Sequence, residues 1–249
     1  MVAAQSQKVP IRICIDSEDY PPYFFETSSE GSQGMILDLI RMSVEHTEHS
    51  IEFTRKPWRR CLSDVKSGYV DASGPVIWSK ARSLWAQFPT DNLNQVMPES
   101  ALVSVQYRVF TRSDSALRWN GTHFSGIRYG VGAPIGHISH KRLKAMGILP
   151  ASSFTVEEGL TMVSRGFLDG FVNESLSGQS LINQLDIASN VSVLSPPFLS
   201  TELYLVFSHQ FVADNPEVPD EVYQALALKG GLWREQLLKA YVSQASGPE

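Results

Sequence analysis

The chain has 249 residues, 43% hydrophobic and 19% charged, a composition typical of a globular protein with room for one large domain or two smaller ones. Its net charge of -5 comes from 21 basic and 26 acidic residues, and no stretch forms a basic stripe, so we expect a small-molecule ligand and no nucleic-acid partner. No apolar run approaches the roughly 18 to 20 residues that a membrane-spanning helix needs.

The first ten residues, MVAAQSQKVP, are small and polar and lack the basic and apolar segments of a signal peptide. They resemble a mature N-terminus with an added initiator Met. This pattern predicts an exported protein whose leader has been removed. A native cytosolic start is the alternative.

The N-terminal third of the chain alternates between strand-like and helix-like patterns. Alternating strands and helices are typical of a parallel sheet in an α/β fold. The helix before the third strand ends at a glycine, which is a common C-cap. The predicted elements are a strand at 11–17, a turn-rich loop at 18–34, a helix at 35–48, a strand at 50–56, a helix at 58–68 and a strand at 69–76.

A short internal similarity relates two distant segments, LSDVKSGYVDAS at 62–73 and LTMVSRGFLDGF at 160–171. Both predict an amphipathic helix, a glycine cap and a strand that contains an aspartate, Asp71 or Asp169. We interpret both aspartates as structural residues at strand ends. The similarity suggests two α/β lobes of related construction, although a chance match is the alternative.

The second lobe includes residues 128–147, which predict a strand, a Gly-Pro-Gly loop and a helix that starts near His137. The loop lacks the full glycine-rich nucleotide fingerprint, so we do not expect a phosphate site there. Residues 101–113 and 202–211 are strand-like and flank this lobe, which makes them candidate crossings between two hinged lobes. The tail, residues 215–245, predicts two helices that return to lobe one.

Cys14 lies in a predicted strand and Cys61 in a predicted helix, and this pair is too few for a disulfide framework and fits no metal or redox spacing. Two buried thiols are therefore expected, with a single disulfide as the alternative that export would permit. His46 and His49, like His137 and His140, are three residues apart. No matched ligands accompany them, so solvated histidines are favoured over a metal site, and we expect no cofactor.

The order and spacing of several segments resemble the family-three extracellular solute-binding proteins, the amino-acid-binding proteins of bacterial ABC importers. The resemblance spans nearly the whole chain. It implies an α/β, bilobal periplasmic-binding-protein-like fold of type II, with a two-strand hinge, a discontinuous lobe one at 8–110 and 198–249, and lobe two at 111–197. The segments are YPPYFF, GMILDLI, PWRRCL, SGYVDASG, SKAR, VGAPIGHIS, GFLDGFVNES and LVFSHQF.

Arg82 is the first residue to which this resemblance gives a role. In the family, a turn at the start of a helix supplies an arginine that binds the α-carboxylate of the ligand, and SKAR occupies that place. A guanidinium is a permanently charged planar fork that suits a carboxylate. The alternative is an ordinary surface cation on a helix.

Three more side chains gain roles from the same resemblance. Glu174 falls where the family places an acidic residue for the ligand ammonium, and its alternative is a helix-start carboxylate that the helix dipole favours. Tyr20 and Trp58 match positions at which the family has aromatic residues that contact the ligand. Flat rings suit such contacts because they bury much area at little entropy cost. Their alternatives are a rigid turn and a core residue.

Main-chain groups complete the predicted ligand site. Around Gly74, Pro75 and Ile77, the family uses backbone carbonyl and amide groups to hold the ammonium and carboxylate, and Pro75 keeps its carbonyl although it has no amide donor. His137, Ile138 and Ser139 align with a helix N-terminus whose amides face the carboxylate. His137 and Ile138 depart from the small hydroxyl residues that the family prefers there.

The resemblance implies a monomeric, periplasmic protein that captures an amino acid or related small carboxylated amine between its lobes and passes it to an inner-membrane ABC permease. No nucleophile and base pattern is evident, so we expect no enzyme activity. An enzyme similar to cyclohexadienyl dehydratase is one alternative, with Glu174 as an acid. A sensory ligand-binding domain is another.

Overall fold

The computed structural model describes residues 10–27, 31–45 and 47–245. Residues 1–9, which form most of the segment interpreted as a mature N-terminus, and His46 lie outside these residues. The elements are, in chain order, β1 (Pro10–Asp16), β2 (Phe25–Thr27), β3 (Gly31–Gln33), α1 (Met35–Val44), β4 (Ser50–Lys56), α2 (Trp58–Lys66), β5 (Ala72–Ile77), α3 (Lys80–Ser83), β6 (Ala86–Gln87), a 3-10 turn (Pro98–Ser100), β7 (Val103–Arg112), β8 (Arg118–Trp119), β9 (Phe124–Ser125), β10 (Val131–Gly132), α4 (Ile138–Ala145), α5 (Val156–Ser164), β11 (Gly170–Glu174), α6 (Ser175–Gln184), a second 3-10 turn (Ala188–Asn190), β12 (Val191–Val193), β13 (Leu199–Ser208), α7 (His209–Asp214) and α8 (Glu217–Ala245).

The chain divides into two compact units. Unit one contains the described residues up to Val103 and those from Glu202 onward, and unit two contains Ser104–Thr201. The chain passes from one unit to the other at the start of β7 and within β13. The lobe boundaries inferred from the sequence, after residue 110 and before residue 198, stay predictions.

Unit one is built on a sheet in which β1 lies between β4 and β5. β1 pairs in parallel with β4 along its whole length, and in parallel with β5 at Ile13 and Cys14. β13 pairs with β5, and β6 with β13, as antiparallel strands. The predicted parallel sheet is therefore confirmed for β1, β4 and β5.

The turn-rich segment at 18–34 is not a simple loop. β2 and β3 form a two-stranded antiparallel hairpin in it, and the first amides of α1 donate to the preceding turn, from Met35 to the Pro22 carbonyl and from Ile36 to the Tyr23 carbonyl. Gly34 allows this close approach, because its φ of 131° is one that glycine adopts without strain and a Cβ there would lie 2.4 Å from the Tyr23 oxygen. The turn is thus fastened to the start of α1.

Cys14 and Cys61 form a disulfide that joins β1 to α2, so the expectation of two buried thiols is wrong. The sequence placed each cysteine in the correct element but could not show that β1 and α2 bring the two together. Both residues are fully buried in a core cluster that includes Trp58, Val65 and Phe88. For a sequence separation of 47 residues, the chain-entropy model gives a stabilisation of about 4 kcal/mol.

The C-terminal tail forms one 29-residue helix, α8, and not the two helices that the sequence predicted. The Gly230-Gly231 pair suggested a break, but glycine costs an exposed helix only about 1 kcal/mol per residue relative to alanine. Contacts within unit one offset this cost: the Ser100 hydroxyl donates to the Tyr223 carbonyl, and the Tyr241 hydroxyl donates to Asp38 at 2.6 Å. Burial and the Asp38 bond raise the Tyr241 pKa to about 12.

Unit two contains a smaller sheet with the strand order β10, β11, β7, β12. β10 and β11 are parallel, whereas β7 is antiparallel to both β11 and β12. Helices α5 and α6 pack on this sheet through a core that includes Phe110, Leu160, Phe171 and Ile182. Gly159 and Gly178 permit the close helix packing, since a Cβ at either position would lie within 2.4 Å of a phenylalanine ring. The predicted strand, loop and helix at 128–147 are confirmed as β10 and α4.

The internal similarity between the two segments is structural. Gly68 and Gly166 end α2 and α5 with φ values of 73° and 75°, and Asp71 and Asp169 directly precede β5 and β11 rather than lying inside them. In each unit the aspartate amide donates to a carbonyl of the neighbouring segment, and its carboxylate accepts an amide of that same residue, Arg12 or Gly130. Both aspartates therefore join two parallel strands, which supports their structural interpretation.

Candidate functional site

Arg82, the residue predicted to bind the ligand carboxylate, lies in the short helix α3, which begins three residues after the end of β5. The Ser79 hydroxyl caps this helix and accepts the Arg82 amide. The Arg82 side chain is 5% exposed, and its Nη1 donates to the Ile77 carbonyl at 2.9 Å. This burial excludes the alternative of a surface cation. A buried guanidinium is costly unless acceptors meet its donors, so its position indicates a specific role.

Gly74, Pro75 and Ile77 belong to β5, the strand that leads to Arg82. The register between β5 and β13 shifts opposite Gly74 and Pro75, between Tyr204 and Val206, and the Gly74-Pro75 bond is cis. Such an irregularity suits proline, which has no amide for a regular ladder. The Ile77 carbonyl accepts from Arg82, so this predicted ligand group also orients the arginine.

Tyr20 and Trp58 have different environments in unit one. Tyr20 forms a bridge with Phe24, and its ring centroid lies 4.9 Å from that of Tyr23 and 5.6 Å from that of Phe24. Tyr20 is half-buried at the tip of the turn that precedes α1. Trp58 is 9% exposed and packs in the core cluster beside the disulfide, as its core-residue alternative predicted.

Asp16 is a residue of this region that the sequence interpretation missed. It is the last residue of β1, at the carboxyl end of the parallel strands, where ligands of α/β sheets commonly bind. Burial raises the Asp16 pKa, although hydrogen bonds from the backbone of Glu18, Ser17 and Trp58 oppose that shift. A carboxylate with a raised pKa in such a place is a functional candidate. Its position after a buried strand was the available signal.

The predicted residues of unit two lie at the starts of two helices. His137 is the N-cap of α4, and Ile138 and Ser139 are its first two residues. Ser139 is 1% exposed, and its hydroxyl has no hydrogen-bond partner within the part of the chain that the structure describes. The first amides of a helix lack intrahelical acceptors, so this end of α4 can accept an anionic group.

Glu174 ends β11 and caps α6 with its buried carboxylate. Its Oε1 accepts the Leu176 amide at 3.0 Å and its Oε2 accepts the Ser177 amide at 2.8 Å. The helix-start alternative therefore describes one role that Glu174 performs. A carboxylate has about four lone-pair sites, so an ammonium contact remains compatible with this cap.

Two other kinds of feature, metal sites and membrane-spanning helices, are absent from the described residues. No group of three or more histidine, cysteine, aspartate or glutamate side chains there could hold a metal ion. Across the same ranges, no helix is both long and apolar enough to span a bilayer.

Comparison with known proteins identifies the fold. The sensor domain of a histidine kinase with similarity to periplasmic binding proteins superposes with a TM-score of 0.77 at 20% identity, covering 94% of this chain and 96% of that one. The type II periplasmic-binding-protein fold is the fold of this chain. A structure from the glutathione import system of Streptococcus mutans, with GshT and the cystine ABC importer TcyBC, gives 0.77 at 14% identity over 95% and 96% of the two chains.

A third structure with the periplasmic-binding-protein fold is the amino acid ABC transporter substrate-binding protein AbpA of Streptococcus pneumoniae, bound to L-arginine. It gives a TM-score of 0.73 at 14% identity over 96% of this chain and 97% of that one. The chain matches no protein-family model and no curated protein. The fold that the sequence resemblance implied is therefore confirmed, while identities this low establish the fold alone.

The raised Asp16 pKa gives a testable pH dependence. The folded protein holds the Asp16 proton more tightly than the unfolded chain does, so the ionised carboxylate lowers stability as the pH rises through the interval from the unfolded to the folded pKa. Asp16→Asn should raise the Tm at pH 7, and this gain should vanish at pH 3. Thermal denaturation of both proteins between pH 3 and 8 checks this. An equal gain at both pH values would contradict the assignment.

Proposed function

We propose that this protein is an exported solute-binding protein that captures an amino acid or related small carboxylated amine for an ABC importer. The observation that carries the proposal is the buried Arg82 at the end of β5, oriented by the Ile77 carbonyl in a chain with the periplasmic-binding-protein fold. A guanidinium is the side chain that best binds a carboxylate, because it can donate two parallel bonds. Similar solved proteins hold arginine or glutamine, which supports the same class of ligand here.

Each unit is proposed to supply part of the ligand site. In unit one, Arg82 binds the α-carboxylate and the Tyr20 ring packs against the ligand. Main-chain groups near Gly74 and Pro75 add contacts to the ligand ammonium and carboxylate. In unit two, Glu174 neutralises the ammonium, and the amides and hydroxyl at the start of α4 add donors for the carboxylate. Closure of the two units over the ligand is part of this proposal.

The ligand side chain is proposed to lie toward β1 and α2. Asp16 and Trp58 meet there, since the Trp58 amide donates to the Asp16 carboxylate. The Asp16 carboxylate would suit a polar or cationic side chain better than an aliphatic one.

The disulfide supports export. Cys14 and Cys61 are joined in the core of unit one, and disulfides persist in oxidising compartments such as the periplasm and are rare in the cytosol. This argument is independent of the N-terminal sequence. A periplasmic location and a permease partner follow from the proposed function.

A sensory role is the second candidate, because one similar structure is the sensor domain of a histidine kinase. Both roles require ligand binding without turnover, and they differ only in the partner that detects the bound state. Turnover of prephenate or arogenate by the purified protein would instead favour the dehydratase alternative.

Thermal-shift measurements with each of the twenty L-amino acids test the role of Arg82. At least one of them should raise the melting temperature of the wild-type protein, because a ligand that binds the folded state stabilises it. Arg82→Lys should lose this gain, since an ammonium cannot reproduce the planar fork. Arg12→Lys is the matched control, because Arg12 pairs with Asp71 near the other end of the same strands. An equal rise in melting temperature in wild type and Arg82→Lys would show that Arg82 does not bind the ligand.

Glu174→Gln tests the ammonium role against the capping role. Binding of the amino acid found in the screen should weaken by about 2 to 5 kcal/mol, because a buried cation loses its countercharge. The matched carboxylic acid without the amine should bind both proteins about equally. Glu158→Gln is the control, because Glu158 caps α5 in the same unit by accepting the Thr155 amide. Equal losses of binding free energy for the amino acid and for the acid without the amine, measured by calorimetry, would show that Glu174 only caps α6.

A further inference from the structure

Arg55 lies in β4 behind the turn that carries Tyr20, and neither the sequence interpretation nor the proposed site includes it. Its side chain is 12% exposed although it is charged. A guanidinium this deeply buried needs a set of acceptors that match its planar fork. The structure provides such a set.

The Arg55 fork reaches both sides of the turn. Nε donates to the Asp16 carbonyl at 3.1 Å, and Nη2 donates to the Ser17 carbonyl at 3.1 Å and to the Asp19 carboxylate at 2.7 Å. Nη1 donates to the Glu26 carboxylate at 3.4 Å, across the turn. One side chain therefore joins the start of the turn to its end.

The turn also has anchors that do not involve Arg55. Its far side is fastened to the start of α1 through the Pro22 and Tyr23 carbonyls, and the Arg55 guanidinium also lies 6.0 Å from the centroid of the Phe24 ring. Tyr20 lies between the Arg55 contacts and the α1 contacts. The chain is thus anchored on both sides of Tyr20, whose ring packs against those of Tyr23 and Phe24.

We propose that Arg55 is a positioning residue, which fixes the turn so that Tyr20 is presented to the ligand in one orientation. The proposal rests on the proposed function, because it takes Tyr20 to be a ligand contact. Asp19 and Glu26 are 52% and 64% exposed, so their ion pairs with Arg55 are individually weak. The fork acts through geometry, by binding two carbonyls and two carboxylates at the same time.

Geometry, and not charge, therefore decides the effect of a substitution. Lysine at position 55 keeps the charge but offers a single point of attachment, which cannot bind both carbonyls and both carboxylates. A displaced contact residue lowers affinity because binding depends on pre-oriented groups. Arg55→Lys should consequently resemble Arg55→Met more than it resembles wild type.

The test compares amide hydrogen exchange with ligand affinity in the full chain. Arg55→Met should speed exchange at the Tyr20, Tyr23 and Phe24 amides, which donate within the turn. It should also raise the concentration of an equimolar mixture of the twenty L-amino acids needed for a half-maximal thermal shift by about 10- to 100-fold. Arg12→Met removes the two hydrogen bonds from the Arg12 side chain to Asp71 in the same sheet and should change neither measurement.

Three outcomes would overturn the proposal. They are unchanged exchange in the turn of Arg55→Met, faster exchange with unchanged affinity, and equal losses in Arg12→Met. Asp19→Ala, an exposed change that removes one acceptor of the fork, gives the same comparison if Arg55→Met does not fold. Failure of the proposed function has a different signature, since wild type itself would then show no thermal shift while exchange still reports whether Arg55 holds the turn.

Discussion

The hydrogen bond between the Arg82 guanidinium and the Ile77 carbonyl is the interaction on which the site of unit one depends. β5 ends at Ile77, and the short helix α3 turns the chain so that the arginine side chain reaches back to that end. The fork is therefore fixed by the last residue of a buried strand. Any ligand carboxylate in this unit is expected to meet donors that are already oriented.

An irregular stretch of strand lies next to this hydrogen bond. The shift in register opposite Gly74 and Pro75 interrupts the ladder next to the strand end that carries Ile77. The disulfide and the Asp71 contacts hold β1 and β5 on the other side. Rigid strands thus support a short segment in which backbone groups depart from regular pairing, as is common at binding sites.

Much of the fold could be predicted from the sequence, because hydrophobic periodicity and glycine caps are local signals. β4 was predicted at its observed bounds, and Gly68 and Gly166 marked the ends of α2 and α5. The pairing of Cys14 with Cys61 could not be predicted in the same way, because it depends on how β1 and α2 pack. The continuity of α8 through Gly230 and Gly231 also depends on tertiary contacts, here with Ser100 and Asp38.

The candidate site was predictable in part. The family resemblance directed attention to Arg82 and Glu174, whose burial and helix contacts became visible only in the structure. Asp16 and Arg55 were missed, since one depends on burial at a strand end and the other on contacts that cross the turn. Long-range contacts of this kind leave no periodic pattern in a sequence.

Native mass spectrometry tests the central claim most directly. Wild type mixed with the twenty L-amino acids should carry one added mass that matches a single amino acid, and Arg82→Lys under the same conditions should carry none. The absence of any added mass on folded wild type at millimolar amino acid concentrations would contradict the account.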